Sequence, residues 1–357
     1  MSGARTVGVE EEFLLVDPES GRPQAAAGSV LQAADDEELT AELQREQLET
    51  GTRPCRTLED VGRELRRARG GARAAARAAG VEIAALGTSP VPAEPTVSPK
   101  RRYERMVEWA GAIAADQLTC GCHVHVGVAS EEEGVAALDR MRPWLATLLA
   151  LSANSPFWKG RHSGYASFRS QVWSQWPSAG PTELFGSPAG YHAVTGAMLA
   201  TETILDDGML YFDARLSAHQ PTVEVRVADV CRDPDDAVLI AGLVRALVDT
   251  AVREWRAGQD PVPVRTEVLR LASWQAGKSG LDGPLLLPPG LQPAQPVDVL
   301  NALVKHVTPA LDEAGDLELV GELLTTLLGR GNGAARQQEV FRRNDGDLRA
   351  VVVDAIA

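Results

Sequence analysis

No apolar run in this 357-residue chain reaches the roughly 18 residues needed to span a bilayer. Met1 to Val9 carries no charged-then-apolar export signal. Cysteine is scarce, with Cys55, Cys120, Cys122 and Cys231 only. Without an export signal these read as reduced thiols of a cytoplasmic protein rather than a disulfide frame. Basic residues are in the minority, 35 Lys and Arg against 49 Asp and Glu, for a net charge of -14. That balance argues against nucleic acid as a partner, because phosphate neutralisation needs clustered cations. The arginine-rich run from Arg63 to Arg77 has alanines interleaved at helical spacing and reads as the solvated face of a helix. Two phosphate-binding signatures are also missing: no Gly-x-x-x-x-Gly-Lys-Ser/Thr loop and no Gly-x-Gly-x-x-Gly turn. There is no internal repeat and no low-complexity tail.

The first two-thirds of the chain alternates strand-like and helical segments. Thr6 to Val16 alternates as a strand. Thr57 to Gly80 reads as a helix with Thr57 as N-cap and Gly80 at the stop. Val81 to Leu86 and Leu118 to Val128 read as strands, Tyr103 to Ala115 and Glu131 to Asn154 as helices. Met209 to Ser217 and Thr222 to Val230 read as a hairpin. From Pro234 onward the pattern is helical, with Pro284 to Pro296 as a surface connection. The expected class is α+β in one domain spanning 1–357, with a sheet-containing core over 1–232 and a helical part over 233–357 packed on it.

Three of these strands share one design. Side chains at i and i+2 lie on one face of a strand. In Gly8-Val9-Glu10-Glu11-Glu12-Phe13 one face carries Val9, Glu11 and Phe13, and the other Glu10 and Glu12. In Cys120-Gly121-Cys122-His123-Val124-His125-Val126 the polar face presents His123 and His125; in Thr222-Val223-Glu224-Val225-Arg226-Val227 it presents Glu224 and Arg226. One such strand is also what a wet sheet edge gives; three in one chain point to a site. Carboxylates at i and i+2 repel unless a cation sits between them. Carboxylate oxygens with an imidazole suit Mg²⁺ or Mn²⁺, the hard ions that accompany nucleotide phosphates. Zinc competes through Cys120-x-Cys122-His123-x-His125, but strand parity sets the cysteines and histidines on opposite faces. Phe157 to Tyr191 holds eight of the chain's seventeen Phe, Trp and Tyr, with Arg161, His162 and Arg169 among them. This segment is either a substrate lid, Trp173 included, or a satellite core.

At these residues the chain resembles the YbdK-type carboxylate-amine ligases, also called type 2 glutamate–cysteine ligases. The matching pieces are the first strand motif, Gln47-Leu48-Glu49-Thr50 followed by Pro54-Cys55, Gly87-Thr88-Ser89-Pro90, Gly121 to Gly127, Leu151-Ser152-Ala153-Asn154-Ser155-Pro156, and Thr222 to Asp229. They occur in the family's order. The resemblance implies a glutamine synthetase-like fold, a curved and mostly antiparallel sheet lining the active site and backed by helices. It implies two or more Mg²⁺ ions, with ATP as co-substrate. Carried over by position, Glu10, His123 and Glu224 would ligate one metal, and Glu12 with Glu49 another. Glu42 would be a further ligand, although its seven-residue step from Glu49 requires a bend and leaves Glu46 as a rival.

Arg226 would face the transferred phosphoryl group, with Glu49 beside it as a catalytic carboxylate. Arg169 would grip the donor carboxylate, and His125, Arg161 and Trp173 would contact substrate. The implied reaction joins glutamate to L-cysteine through an acyl phosphate, in a cytoplasmic enzyme that handles small molecules and forms a homodimer. A different amine acceptor, a phosphotransferase on the same scaffold, and a non-catalytic ATP- or amino-acid-binding regulator stay open at this level.

Overall fold

A computed structural model describes residues 4–34 and 38–357; Met1 to Gly3 of the N-terminal reading lie outside them. Seven strands form one sheet: β1 (Val7–Val16), β2 (Thr40–Ala41), β3 (Gln47–Gly51), β4 (Glu82–Ala84), β5 (Gly121–Gly127) and, after the short hairpin β6 (Phe157–Trp158) and β7 (Arg161–His162), β8 (Ala214–Leu216) and β9 (Thr222–Asp229). Its order is β2-β3-β1-β5-β9-β8, with β4 also on β1, and every pairing is antiparallel. The α+β class and the antiparallel sheet are as the sequence predicts.

Register decides what the polar face displays. Glu12 stands opposite Glu49, Glu10 opposite His123, His125 opposite Glu224, and Glu224 opposite Arg215. Between Cys122 and Val124 the β5–β9 register shifts by one, so Arg226 and Val227 together face His123. Such a bulge bends its strand and re-aims the side chains on it.

The opposite face is apolar and sealed. Val7, Val9, Cys122, Val124, Val126, Val223 and Val225 share one buried cluster with Ala237 to Val252 of the helix Pro234–Arg256 and with the helices Pro296–Ala314 and Leu317–Arg330. Glu11 points into this side and is only 1% exposed. Arg69 answers it, donating from Nε at 2.9 Å and Nη2 at 2.6 Å. That corrects the reading of the arginine run: the helix Leu58–Ala78 does turn Arg63, Arg66 and Arg77 outward, but Arg69 is buried to neutralise a core carboxylate. Thr57 caps this helix, accepting from the Asp60 backbone N–H at 3.1 Å.

Three other expectations shift. The long helix over Glu131 to Asn154 divides into Glu131–Met141 and Leu145–Ser152, because Pro143 forces a 3-10 turn between them. The helix after Lys100 breaks at Gly111, whose φ of 57° ends Arg101–Ala110 before Ala112–Ala115. The proline-rich connection contains a small hairpin, β10 (Leu285–Leu287) with β11 (Gln292–Ala294). Among the described residues no helix is long and apolar enough to cross a membrane.

Candidate active site

β1, β3 and β5 bring carboxylates and imidazoles together on the polar face. Among the described residues three groups have ligand-type atoms within 4.8 Å of one another: Glu12 with Glu42 and Glu49, Glu10 with Glu49 and His123, and Glu10 with His125 and Glu224. None includes a cysteine, and all four thiols are free and buried. Glu42 joins its group because β2 ends at Ala41 and the chain turns before β3, which supplies the bend that a seven-residue step requires. Glu46 is occupied elsewhere, accepting from the Thr96 N–H at 2.9 Å. The grouping around Glu10 differs from the sequence assignment: His123 and Glu224 both share Glu10, but in separate groups, and His125 is the imidazole that accompanies Glu224.

The electrostatics of these groups diverge. Burial drives the Glu12 and Glu42 carboxyls up, and pushes Glu49 well above the ordinary carboxylate range, where Glu42, Glu10 and Glu12 add repulsion. Burial also raises Glu10, but His123 Nδ1 at 3.5 Å and His125 Nε2 at 3.4 Å more than reverse it, so its carboxyl stays low. Glu224 is held low against burial by Arg226, which touches it, and by Arg215 at 2.7 Å. Burial and Arg226 depress His123, whereas Glu10 lifts His125 against burial. Among the described residues His123 Nε2 is buried without a hydrogen-bond partner, and His125 Nε2 meets only Glu10, at 3.4 Å. A buried imidazole nitrogen without a partner beside crowded carboxylates fits a divalent cation bound by oxygen and nitrogen.

Beside this cluster lies a cavity of about 450 Å³, lined by Arg169, Trp173, Trp176, Asp213, Arg226 and Arg270 among others. Trp173 lies under both buried guanidiniums, with Arg169 Cζ 5.7 Å and Arg226 Cζ 5.6 Å from its ring centre. Arg169 is 2% exposed, yet its contacts are long: 3.4 Å to the carbonyls of Val227 and Arg226, and 3.9 Å to Asp229. A buried cation so loosely met is ready for an anionic ligand. Gly121 makes room for it, since a Cβ there would collide with the guanidinium.

Arg169 is held by a knot that ties together three of the sequence motifs. Asp229 accepts from the Asn154 N–H at 2.8 Å, Ser155 Oγ at 2.7 Å and Ser167 Oγ at 2.8 Å, and Ser155 Oγ accepts from the Arg169 N–H at 3.0 Å. Gly87 lies against the same carboxyl, 3.0 Å from where its Cβ would be. Asp229 was not singled out in the sequence, although it closes the Thr222 to Asp229 motif. In the aromatic segment Phe157, Phe185 and Tyr191 are buried, whereas Trp173 and the buried Trp176 line the cavity. Arg161 stands apart, exposed on β7 and outside the cavity and the donor groups. Arg215 and Asp213 carry no motif and were also missed.

The family model for glutamate-cysteine ligase family 2 matches residues 6–354. The chain belongs to that family. A Streptomyces avermitilis protein provisionally named glutamate--cysteine ligase 2-1 is 53% identical over 357 residues, covering 99% of this chain and 98% of its own. A Streptomyces coelicolor protein, provisionally glutamate--cysteine ligase 2, is 52% identical with the same coverage. Among solved structures, a glutamate--cysteine ligase from Francisella tularensis in complex with AMP superposes with a TM-score of 0.65 at 13% identity, over 99% of this chain and 88% of that one. A bifunctional glutathione synthetase from Pasteurella multocida gives 0.70 at 17% identity over 99% of this chain, which spans 52% of that longer protein. At such identities the two structures share the fold alone. Family 2 membership makes this protein an ATP-dependent carboxylate-amine ligase of the glutamate–cysteine ligase type.

Proposed function

We propose that this protein activates the side-chain carboxylate of L-glutamate as an acyl phosphate and joins it to the amine of L-cysteine, consuming ATP, in the cytoplasm. The observation that carries the reading is the juxtaposition of the carboxylate–imidazole cluster with two buried arginines at a cavity wall. Glu12, Glu42 and Glu49 would hold one Mg²⁺ or Mn²⁺, and Glu10 with Glu224 and an imidazole a second. The grouping favours His125 for that imidazole, with His123 and Glu49 on the other side of Glu10. When bound, the cations neutralise triphosphate oxygens so that an anionic carboxylate can approach phosphorus.

The chain's own residues do the rest. Arg226, fixed by Glu224 and stacked on Trp173, offers positive charge to the phosphoryl oxygens as they gain charge in transfer. Arg169 grips a carboxylate of the donor and sets its orientation, which converts an encounter between two anions into a positioned reaction. The carboxylate oxygen attacks the γ-phosphorus and ADP leaves; the amine then attacks the acyl carbon and phosphate leaves. Release of phosphate that requires ATP, L-glutamate and L-cysteine together, with the amide detected by mass, is the expected result. Silence with L-cysteine and with a broad panel of other amino acids and amines would defeat the reading.

A further inference from the structure

The ligase reading leaves the amine without a base, and the cavity beside Arg226 holds one carboxylate. We propose that Asp213 receives the ammonium group of the amino-acid acceptor and takes a proton from it. This inference rests on the ligase reading above.

Asp213 is the one acidic side chain among the described residues lining the cavity. The charged side chains around it are cationic: Arg270, Arg169 and Arg226 on the cavity wall, and Arg142 in the small recess behind. Despite them, its carboxyl makes no hydrogen bond and no ion pair among the described residues. A pocket with several guanidiniums and one unengaged carboxylate is complementary to a zwitterion, whose carboxylate meets an arginine while its ammonium meets the aspartate. The backbone fixes Asp213 to the reacting end of the site. Its N–H donates to the Gly180 carbonyl at 3.0 Å, and its own carbonyl accepts from the Arg226 N–H at 2.9 Å. Gly180 makes this possible with a φ of 113°, a conformation other residues rarely adopt. Asp213 is therefore tied directly to the strand that carries Arg226 and Glu224.

The chemistry fits as well. Burial pushes the Asp213 carboxyl up to about 7 against the pull of Arg270 and Arg169, near the value that serves a general base at neutral pH. In the step, the ammonium gives one proton to Asp213 and the freed lone pair forms the C–N bond at the acyl carbon. The C–O bond to phosphate breaks, and the second surplus N–H proton leaves on the phosphate. No further reactant is needed.

Wild-type and Asp213→Asn enzymes are compared with ATP, Mg²⁺, L-glutamate and either L-cysteine or hydroxylamine, a nucleophile already unprotonated at neutral pH. The expected result is a loss of ~100-fold in amide formation with L-cysteine, with hydroxamate formation kept within about twofold of wild type. The rise in wild-type rate with L-cysteine as pH increases through neutrality should also disappear in the variant. Retained hydroxamate formation shows that the variant folds and still makes the acyl phosphate. Undiminished turnover with L-cysteine overturns the inference. Equal losses with both acceptors also overturn it, because Asp213 would then serve the donor or the fold. Wild-type hydroxamate without any L-cysteine product removes the amino-acid acceptor from this cavity and overturns it too. A wild-type enzyme silent with both acceptors is a separate result, which defeats the ligase reading itself.

Discussion

Glu12 and Glu49 stand directly opposite each other on neighbouring antiparallel strands, and Glu42 closes a triangle of carboxylates with them. Like charges opposed in a sheet destabilise it. The Gly121 N–H at 2.6 Å from Glu12 and Thr40 Oγ1 at 3.2 Å from Glu49 relieve only part of the repulsion. The remainder is met by protons in the free protein or by a cation.

A pH dependence follows for the metal-free enzyme. An acid whose folded pKa is raised, as for Glu49 above its ordinary 4.5, contributes stability below the ordinary value and loses it as pH climbs through the folded one. With chelator present, the midpoint of thermal unfolding should fall as pH rises from about 5 to 8, and Glu49→Gln should flatten that slope. Mg²⁺ at ten times its Kd should raise the wild-type midpoint by roughly 2 °C and raise that of Glu49→Gln by less. A wild-type midpoint indifferent to both Mg²⁺ and pH would count against a cation among these carboxylates.

Arg226 and the Glu10 centre should separate in kinetics. Arg226→Gln should lower kcat by ~10³ while KM for ATP changes little, as expected of a charge used mainly in the transition state. Glu10→Gln should lower turnover ~100-fold or more and shift the Mg²⁺ concentration giving half-maximal rate. Comparing His125→Asn with His123→Asn tests which imidazole accompanies Glu224; the larger Mg²⁺ shift is expected for His125→Asn. Steady-state rates across a Mg²⁺ titration read all four.

The Glu11–Arg69 pair should be costly to break and cheap to replace. Glu11→Gln leaves a buried guanidinium without its counter-charge, so urea unfolding should show a loss of about 3–5 kcal/mol. The double variant Glu11→Leu, Arg69→Met should recover most of it. Equal stability of the single variant and wild type would mean that water reaches Arg69.

Asp229 acts on substrate binding at one remove. Asp229→Asn should destabilise the protein by about 2–3 kcal/mol by disrupting a buried hydrogen-bond cluster. It should also raise KM for glutamate, because the Ser155 hydroxyl that steadies the Arg169 backbone loses its own anchor. Ser167→Ala should cost about 1 kcal/mol. An unchanged KM for glutamate in Asp229→Asn would detach Arg169 from the donor.

The polar face was legible because strand alternation is a local property: Glu10, Glu12, His123, His125, Glu224 and Arg226 declare their side by parity alone. What parity could not supply was register between strands. Only pairing distinguishes Glu10–His125–Glu224 from Glu10–His123–Glu224, and a bulge in β9 contributes to that distinction. Glu42 required a turn that the sequence left undecided between it and Glu46. Arg69 was hidden in a run of similar arginines, since one buried member in a charged helix follows the position of its partner across the fold. Asp213 and Arg215 were silent for a related reason. Their importance comes from what lies opposite them, and a single strand carries no trace of that.

The irregularity in β9 has one more implication. Upstream of Arg226–Val227 the strand meets β5 in one phase, and downstream in another. Deleting either residue would restore an even ladder with each flanking pair kept, Glu224 still opposite His125 and Ala228 still opposite Cys122. What would go is the bend at this point, and with it the aim of the one side chain left facing His123.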